Sequence, residues 1–274
     1  MLTESQVRHF KAFGYVVMKQ VLTAAELRTL HVEFERKLEM QYAHRPFDGT
    51  SRHWSSMMDD ETPLFASLLE DPRFMNSARQ LFGPDVIGLN VDANRYVGNT
   101  AWHPDSQTPL QGGVKFAIYL PPVGAETGAL RVIPGSHRLS YPQHPEFADV
   151  IYKLPIADVP ATVLDSTPGD VVAFDIHLWH GSWGGKTDRR MCTAVYYDNP
   201  RTPEELAYIR KQAVDNITYA SQAFDARRKH FFPQVWLANA QRSADRQRWI
   251  DRLRELGYFD APGIVEPAEN ADAR

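Results

Sequence analysis

Between residues 86 and 197 the chain is a succession of short β-rich runs, each cut off by Gly, Pro or Asn, and this rhythm constrains the fold more than any other feature. The stretches 86–91, 94–97, 114–120, 130–133, 162–164, 171–176 and 191–197 read as strands. Their spacing is that of a β-sandwich or jelly roll, in which segments far apart in sequence are brought side by side.

Helices are expected on both flanks. Thr3-Glu-Ser-Gln6 is a capping box, followed by Val7, Phe10 and Phe13 at helical spacing and Gly14 as a stop. The β-rich run 15–21 follows. Thr23-Ala-Ala-Glu26 opens a second helix reaching about Gln41, with Leu27, Leu30, Phe34 and Leu38 on one stripe. Residues 43–54 have no period and much turn chemistry, and read as a polar loop in which Arg45, Arg52 and His53 suit either solvent or an anionic substrate. After the β region, Thr202-Pro203 starts one helix and Ser243 another that Gly257 stops. At 274 residues, one domain over 1–266 is expected: a β core at about 86–198, an N-terminal helical and lid region at 1–85, C-terminal helices within 202–258, and a loose tail at 267–274.

Within the β region lies His103-Pro-Asp105, and after the run Val171-Val-Ala-Phe-Asp-Ile176 come His177 and His180. Two histidines and one carboxylate form the facial ligand set of non-haem iron(II), which leaves metal positions open for a cosubstrate and dioxygen. In an extended segment residues i and i+2 point the same way, so His103 and Asp105 can share an ion if that segment is a strand. The third ligand must come from another strand. His180 is chosen over His177 because Gly181-Ser182 behind it permits close backbone approach. His177 is assigned a structural, hydrogen-bonded role. Such an iron site also needs a reductant, usually a 2-oxo acid, whose far carboxylate needs a cation. Arg189 or Arg190 offers the planar fork, and only one of two strand neighbours can face inward.

Taken in order, His103-Pro-Asp105, Gly124-Ala-Glu-Thr-Gly128-Ala-Leu-Arg-Val-Ile-Pro134-Gly-Ser-His-Arg138, Gly169-Asp170-Val-Val-Ala-Phe, His180-Gly-Ser and Arg189-Arg190 resemble the phytanoyl-CoA dioxygenase family of iron(II)- and 2-oxoglutarate-dependent oxygenases. The resemblance implies a mainly β protein with helical additions, built on a double-stranded β-helix (jelly-roll, cupin-like) core with the triad at its mouth. It implies that His103, Asp105 and His180 bind iron(II), that Arg189 pairs with the distal carboxylate of 2-oxoglutarate, and that dioxygen is consumed. Asn94 resembles a position where some relatives set an asparagine against the 2-oxoglutarate carboxylates. His137 belongs, by the same likeness, to a structural turn. Lys115 lies on a strand that faces the site in such a fold, with its own direction left open. Trp102, Tyr119, Trp179 and Trp183 are candidates for the pocket wall or for the core, and Cys192 for a small buried apolar residue.

The implied reaction is hydroxylation of an unactivated carbon of a small metabolite, with 2-oxoglutarate converted to succinate and carbon dioxide. Desaturation, ring closure or other oxidative tailoring would use the same site. Halogenation is disfavoured because the carboxylate, Asp105, is present. A non-catalytic cupin-like binding module and a zinc hydrolase are the readings from other classes; the latter leaves Arg189 without a role. A net charge of −4 with no block of basic residues gives no footprint for nucleic acid or an anionic membrane, nor for the phosphates of CoA, and points to a small free molecule. One cysteine excludes an intrachain disulfide, and no signal-peptide or spanning run is present, so the cytoplasm is the expected location. The sequence does not speak to oligomeric state.

Overall fold

The computed structural model describes residues 1–139, 144–185, 187–223 and 232–260, with 214–223 described as backbone only. The tail expected at 267–274 lies outside them. In chain order the elements are α1 (Glu4–Phe13), β1 (Tyr15–Met18), α2 (Ala24–Gln41), β2 (His53–Ser56), α3 (Pro63–Ser67), α4 (Pro72–Phe82), β3 (Ile87–Tyr96), β4 (Thr100–His103) and β5 (Gly113–Tyr119). There follow β6 (Leu130–Val132), α5 (Pro145–Lys153), β7 (Thr162–Leu164), β8 (Val171–Asp175), β9 (His180–Ser182), β10 (Arg189–Tyr197), α6 (Pro203–Ala223), α7 (Gln234–Ala238) and α8 (Ala244–Glu255).

Local chemistry sets the helix ends. Thr3 Oγ1 accepts from the Gln6 N–H while Gln6 Oε1 accepts from the Thr3 N–H, and Gly14 leaves α1 at φ +83°. The same reciprocal pair, Thr23 with Glu26, opens α2. Asp71 caps α4 with Pro72 in the first turn, and Ser243 caps α8.

The strands form two antiparallel sheets, one of order β1-β8-β5-β10-β3-β2 and one of order β4-β9-β6-β7. Alternation along each strand sorts side chains to two faces. Val114, Phe116 and Ile118 of β5, Val171 and Ala173 of β8, and Cys192, Ala194 and Tyr196 of β10 join Phe10, Leu30, Phe34, Phe74 and Trp249 from the helices in the main core. Each fully buried aromatic or branched side chain there contributes about 1.5–3 kcal/mol. The intervening residues Ala117, Tyr119, Val172, Phe174 and Met191 face the small sheet and pack with Val123, Leu130, Val132 and Leu164. This is the double-stranded β-helix with buttressing helices, as expected. Among the described residues no helix is long and apolar enough to cross a membrane.

β4, β9 and α5 lie outside the expected strands and helices, and three of the expected elements differ. The runs 86–91 and 94–97 are one strand, β3, unbroken through Asn94, because β10 pairs with it along its whole length. The loop 43–54 ends in β2, which pairs with β3 and closes the edge of the large sheet. The expected strand 15–21 stops at Met18, where Gln20 turns at φ 50°.

Candidate metal centre and its cavity

β4 and β9 are neighbours in the small sheet, and their register sets His103 opposite His180 with ring centroids 4.4 Å apart. Each ring has Nδ1 at 2.8 Å from a backbone carbonyl two residues earlier, Ala101 for His103 and Leu178 for His180. A carbonyl only accepts, so Nδ1 carries the proton and Nε2 presents a lone pair. That is the tautomer of a metal ligand, with its orientation fixed from behind.

Asp105 arrives differently from the alternation argument. β4 ends at His103, and Asp105 sits in the bend beyond Pro104, which is tied down where the Ser106 N–H donates to the Ile176 carbonyl at 2.9 Å. The ligand atoms of His103, Asp105 and His180 nevertheless lie within 4.8 Å of one another, close enough to share one small divalent ion. Burial, reinforced by His103, pulls His180 down to about 3 in spite of Asp105, so its imidazole is neutral and ready to ligate. Burial opposes charge on Asp105, yet Lys115 Nζ, 2.8 Å from Oδ2, together with His180 and His103, holds the carboxyl well below the usual range.

The three residues open on a cavity of about 150 Å³ whose wall also includes Arg52, Tyr96, Lys115, Tyr119, Phe174 and Arg189. Arg189 is the first residue of β10 and faces inward; Arg190 faces outward to Glu35 and Asp188. Arg189 is only 5% exposed and stacks over Tyr96 with its guanidinium carbon 5.0 Å from the ring centroid. Its Nη2 reaches Thr100 Oγ1 at 3.5 Å, while Nη1 is buried without a hydrogen-bond partner and no carboxylate pairs with it among the described residues. A buried cation left in that state is a site for an anion. The room for it depends on two glycines. A Cβ on Gly128, at φ +81°, would lie 2.4 Å from Arg189 Nη1, and one on Gly185 would lie 2.9 Å away. The Gly-rich turn of the 124–138 motif thus packs against this guanidinium.

Asn94 is not brought to the cavity wall. It is buried on β3 with Oδ1 accepting from both Nε (2.9 Å) and Nη2 of Arg52, and Nδ2 donating to Asp92 at 2.8 Å. The lining residue is Arg52, which Asn94 holds and which stacks 4.1 Å over Tyr96. His177 donates from both ring nitrogens, Nδ1 to the Asp175 carboxylate at 2.8 Å and Nε2 to the Thr108 carbonyl at 2.7 Å, in keeping with a structural residue. His137 lies against the end of α1 by the Lys11 carbonyl. Of the aromatic candidates, Tyr119 lines the cavity, whereas Trp102 and Trp179 pack with α5 and Trp183 in a separate cluster. Arg45 and His53 lie outside the cavity wall: His53 is stacked on Tyr42 at 3.8 Å, and burial beside Arg45 and Arg95 depresses it to about 4. Cys192 is buried, and burial pushes its thiol well up. Arg52 and the inward direction of Lys115 could have been found only from the pairing of β2 with β3 and of β5 with β8 and β10.

A two-histidine, one-carboxylate cluster at the mouth of a double-stranded β-helix defines the non-haem iron oxygenases that use 2-oxoglutarate. The chain belongs to the phytanoyl-CoA dioxygenase (PhyH) family, whose model matches residues 10–192. It is 25% identical over 154 residues to the ectoine dioxygenase of Bordetella parapertussis, a match covering 50% of each chain, and 25% identical over 154 residues to that of Streptomyces avermitilis, covering 50% of this chain and 52% of the relative. The chain thus spans about half the length of the curated relatives it matches. Among solved structures, HygX from Streptomyces hygroscopicus with nickel and 2-oxoglutarate bound superposes with TM-score 0.60 at 21% identity, covering 72% of this chain and 87% of that one. EctD from S. alaskensis with bound iron does so with TM-score 0.57 at 24% identity, covering 74% and 80%. At these identities the structural likeness establishes the fold.

Proposed function

We propose that the protein is an iron(II)- and 2-oxoglutarate-dependent dioxygenase that hydroxylates an unactivated carbon of a small free metabolite, with His103, Asp105 and His180 holding the metal and Arg189 taking the distal carboxylate of 2-oxoglutarate. One observation carries the reading: the three convergent ligands share a cavity with a buried guanidinium that lacks an anionic partner. The donor set suits iron(II), with two imidazoles and one carboxylate leaving positions open. When bound there, iron(II) with 2-oxoglutarate supplies the oxidising chemistry, one dioxygen atom entering the substrate and the other succinate as carbon dioxide leaves.

The chain's own residues bind and orient. Arg189 meets a carboxylate with two parallel N–H donors, fixed against Tyr96 and backed by Gly128 and Gly185. Phe174, Leu130 and Met191 give the cavity apolar walls that exclude water, and the hydroxyl of Tyr119, pushed well up by burial, stays protonated and able to donate. The ectoine dioxygenase relatives and the lack of a basic run suited to CoA phosphates support a small free substrate.

The test is succinate release by purified protein given iron(II), 2-oxoglutarate and air, alone and with a panel of small metabolites. Succinate above the protein-free level is expected, rising with the true substrate. Binding of iron and 2-oxoglutarate with no turnover on any compound would favour the non-catalytic module instead.

A further inference from the structure

The three metal ligands are not restrained alike. His103 and His180 sit in paired strands, each ring held by the carbonyl two residues before it. Asp105 lies past the end of β4 in a bend, and its carboxylate has no such backbone restraint. Among the described residues its one hydrogen-bonded or ion-paired partner is Lys115, whose Nζ stands 2.8 Å from Oδ2. Lys115 is not placed there by chance of a flexible surface chain. It occupies the inward face of β5, opposite Phe174 of β8 and Val195 of β10, and both side chains of the pair are only 23% exposed.

We propose that Lys115 is a positioning residue for the metal: by holding Oδ2 it makes Asp105 a ligand through one oxygen, and so keeps free the coordination position that a two-oxygen carboxylate would occupy. The inference rests on the function proposed above. Its logic is one of counting. Three protein ligands would leave three positions on a six-coordinate ion, of which a 2-oxo acid chelate would take two and dioxygen the last. A carboxylate free to turn both oxygens to the metal would fill it. Lys115 prevents this with a charge-assisted bond in a half-enclosed site, and its rigid anchorage across two strand ladders fixes the direction of that bond.

The experiment compares wild type with Lys115→Met, Lys115→Arg and Asp105→Ala by anaerobic iron(II) titration and by the visible absorption of the iron(II)–2-oxoglutarate chelate. Lys115→Met frees Asp105 to ligate through both oxygens and removes a positive charge from beside the ion, so it is expected to bind iron(II) more tightly than wild type while shifting or diminishing the chelate band. Lys115→Arg, which keeps a charged donor, is expected to return both to wild type, and Lys115→Met is expected to add less in an Asp105→Ala background. Should the methionine variant fail to fold, Lys115→Gln carries the same comparison. Equal affinity and an identical band in wild type and Lys115→Met would overturn the inference, as would an undiminished effect without Asp105. A wild-type protein that binds no iron(II) would overturn the site reading itself, and this one with it.

Discussion

Replacing Arg189 by methionine should make the ligand-free protein more stable and the enzyme worse. The guanidinium is 95% buried in effect, at 5% exposure, with Nη1 lacking a partner and no carboxylate beside it. An orphaned buried donor costs about 1–3 kcal/mol. Methionine keeps the aliphatic stem against Tyr96 and removes the charge. For a chain of this size 1 kcal/mol moves the melting temperature by roughly 2 °C, so the variant is expected to melt roughly 2–6 °C above wild type without ligand. Charge-assisted hydrogen bonds are worth about 1.5–3 kcal/mol each, so losing two of them raises the KM for 2-oxoglutarate by at least about 100-fold. The assay is thermal denaturation with and without 2-oxoglutarate and iron(II), alongside succinate release. Wild type gains stability on adding 2-oxoglutarate by mass action and the variant does not. A variant that melts below wild type, or one that 2-oxoglutarate stabilises as well as wild type, refutes the reasoning.

His180→Ala removes a ligand whose ring is fixed by Leu178, and is expected to abolish iron-dependent succinate release; turnover at the wild-type rate would remove His180 from the site. Gly128→Ala sets a methyl group 2.4 Å from Arg189 Nη1 at a left-handed φ, a conformation that costs about 1–2 kcal/mol for a non-glycine residue. It should raise the KM for 2-oxoglutarate more than it weakens iron(II) binding, as kinetics and metal titration will report. His53 has a folded-state pKa of about 4, below the ordinary histidine value, so the unfolded chain takes up the proton first as pH falls. Its neutral form therefore contributes stability above pH 6.5 that is lost between about pH 6.5 and 4, amounting to about 3 kcal/mol at most. Denaturant titrations of His53→Phe against wild type across that window should show a shallower acid loss in the variant.

How far the sequence reaches depends on which forces wrote the pattern. The reciprocal Thr3–Gln6 and Thr23–Glu26 caps are local, and both helices begin where they were expected. β8 and β5 are mostly apolar, Lys115 apart, and stand out as strands. β3 looks broken in sequence because Asn90, Asp92 and Asn94 point toward the interior of the fold, and a polar residue in a strand-like run looks like a turn when its partners are distant. Those partners, Thr193 and Arg52, lie on other segments of the chain. β2 looks like loop for the same reason, since His53, Ser55 and Ser56 are buried although polar. At the site, residue types and order picked out His103, Asp105 and His180 together, and strand alternation required one of Arg189 and Arg190 to face inward. The family resemblance points to Arg189 of the two; that it faces the cavity, and that Asp105 arrives by a bend, depends on how the strands pair across the sheet, which no single segment encodes.

The short ladder between β4 and β9 gives the site a second consequence. Only Thr100 with Ser182 and His103 with His180 stand in register there, with an irregularity between them, so these strands are held to one another by little backbone bonding. An ion held by His103 on β4 and His180 on β9 would act as a clasp across that seam, joining two segments far apart in sequence. Metal supply and folding would then be one equilibrium: a molecule without its ion would give up part of what keeps the small sheet shut.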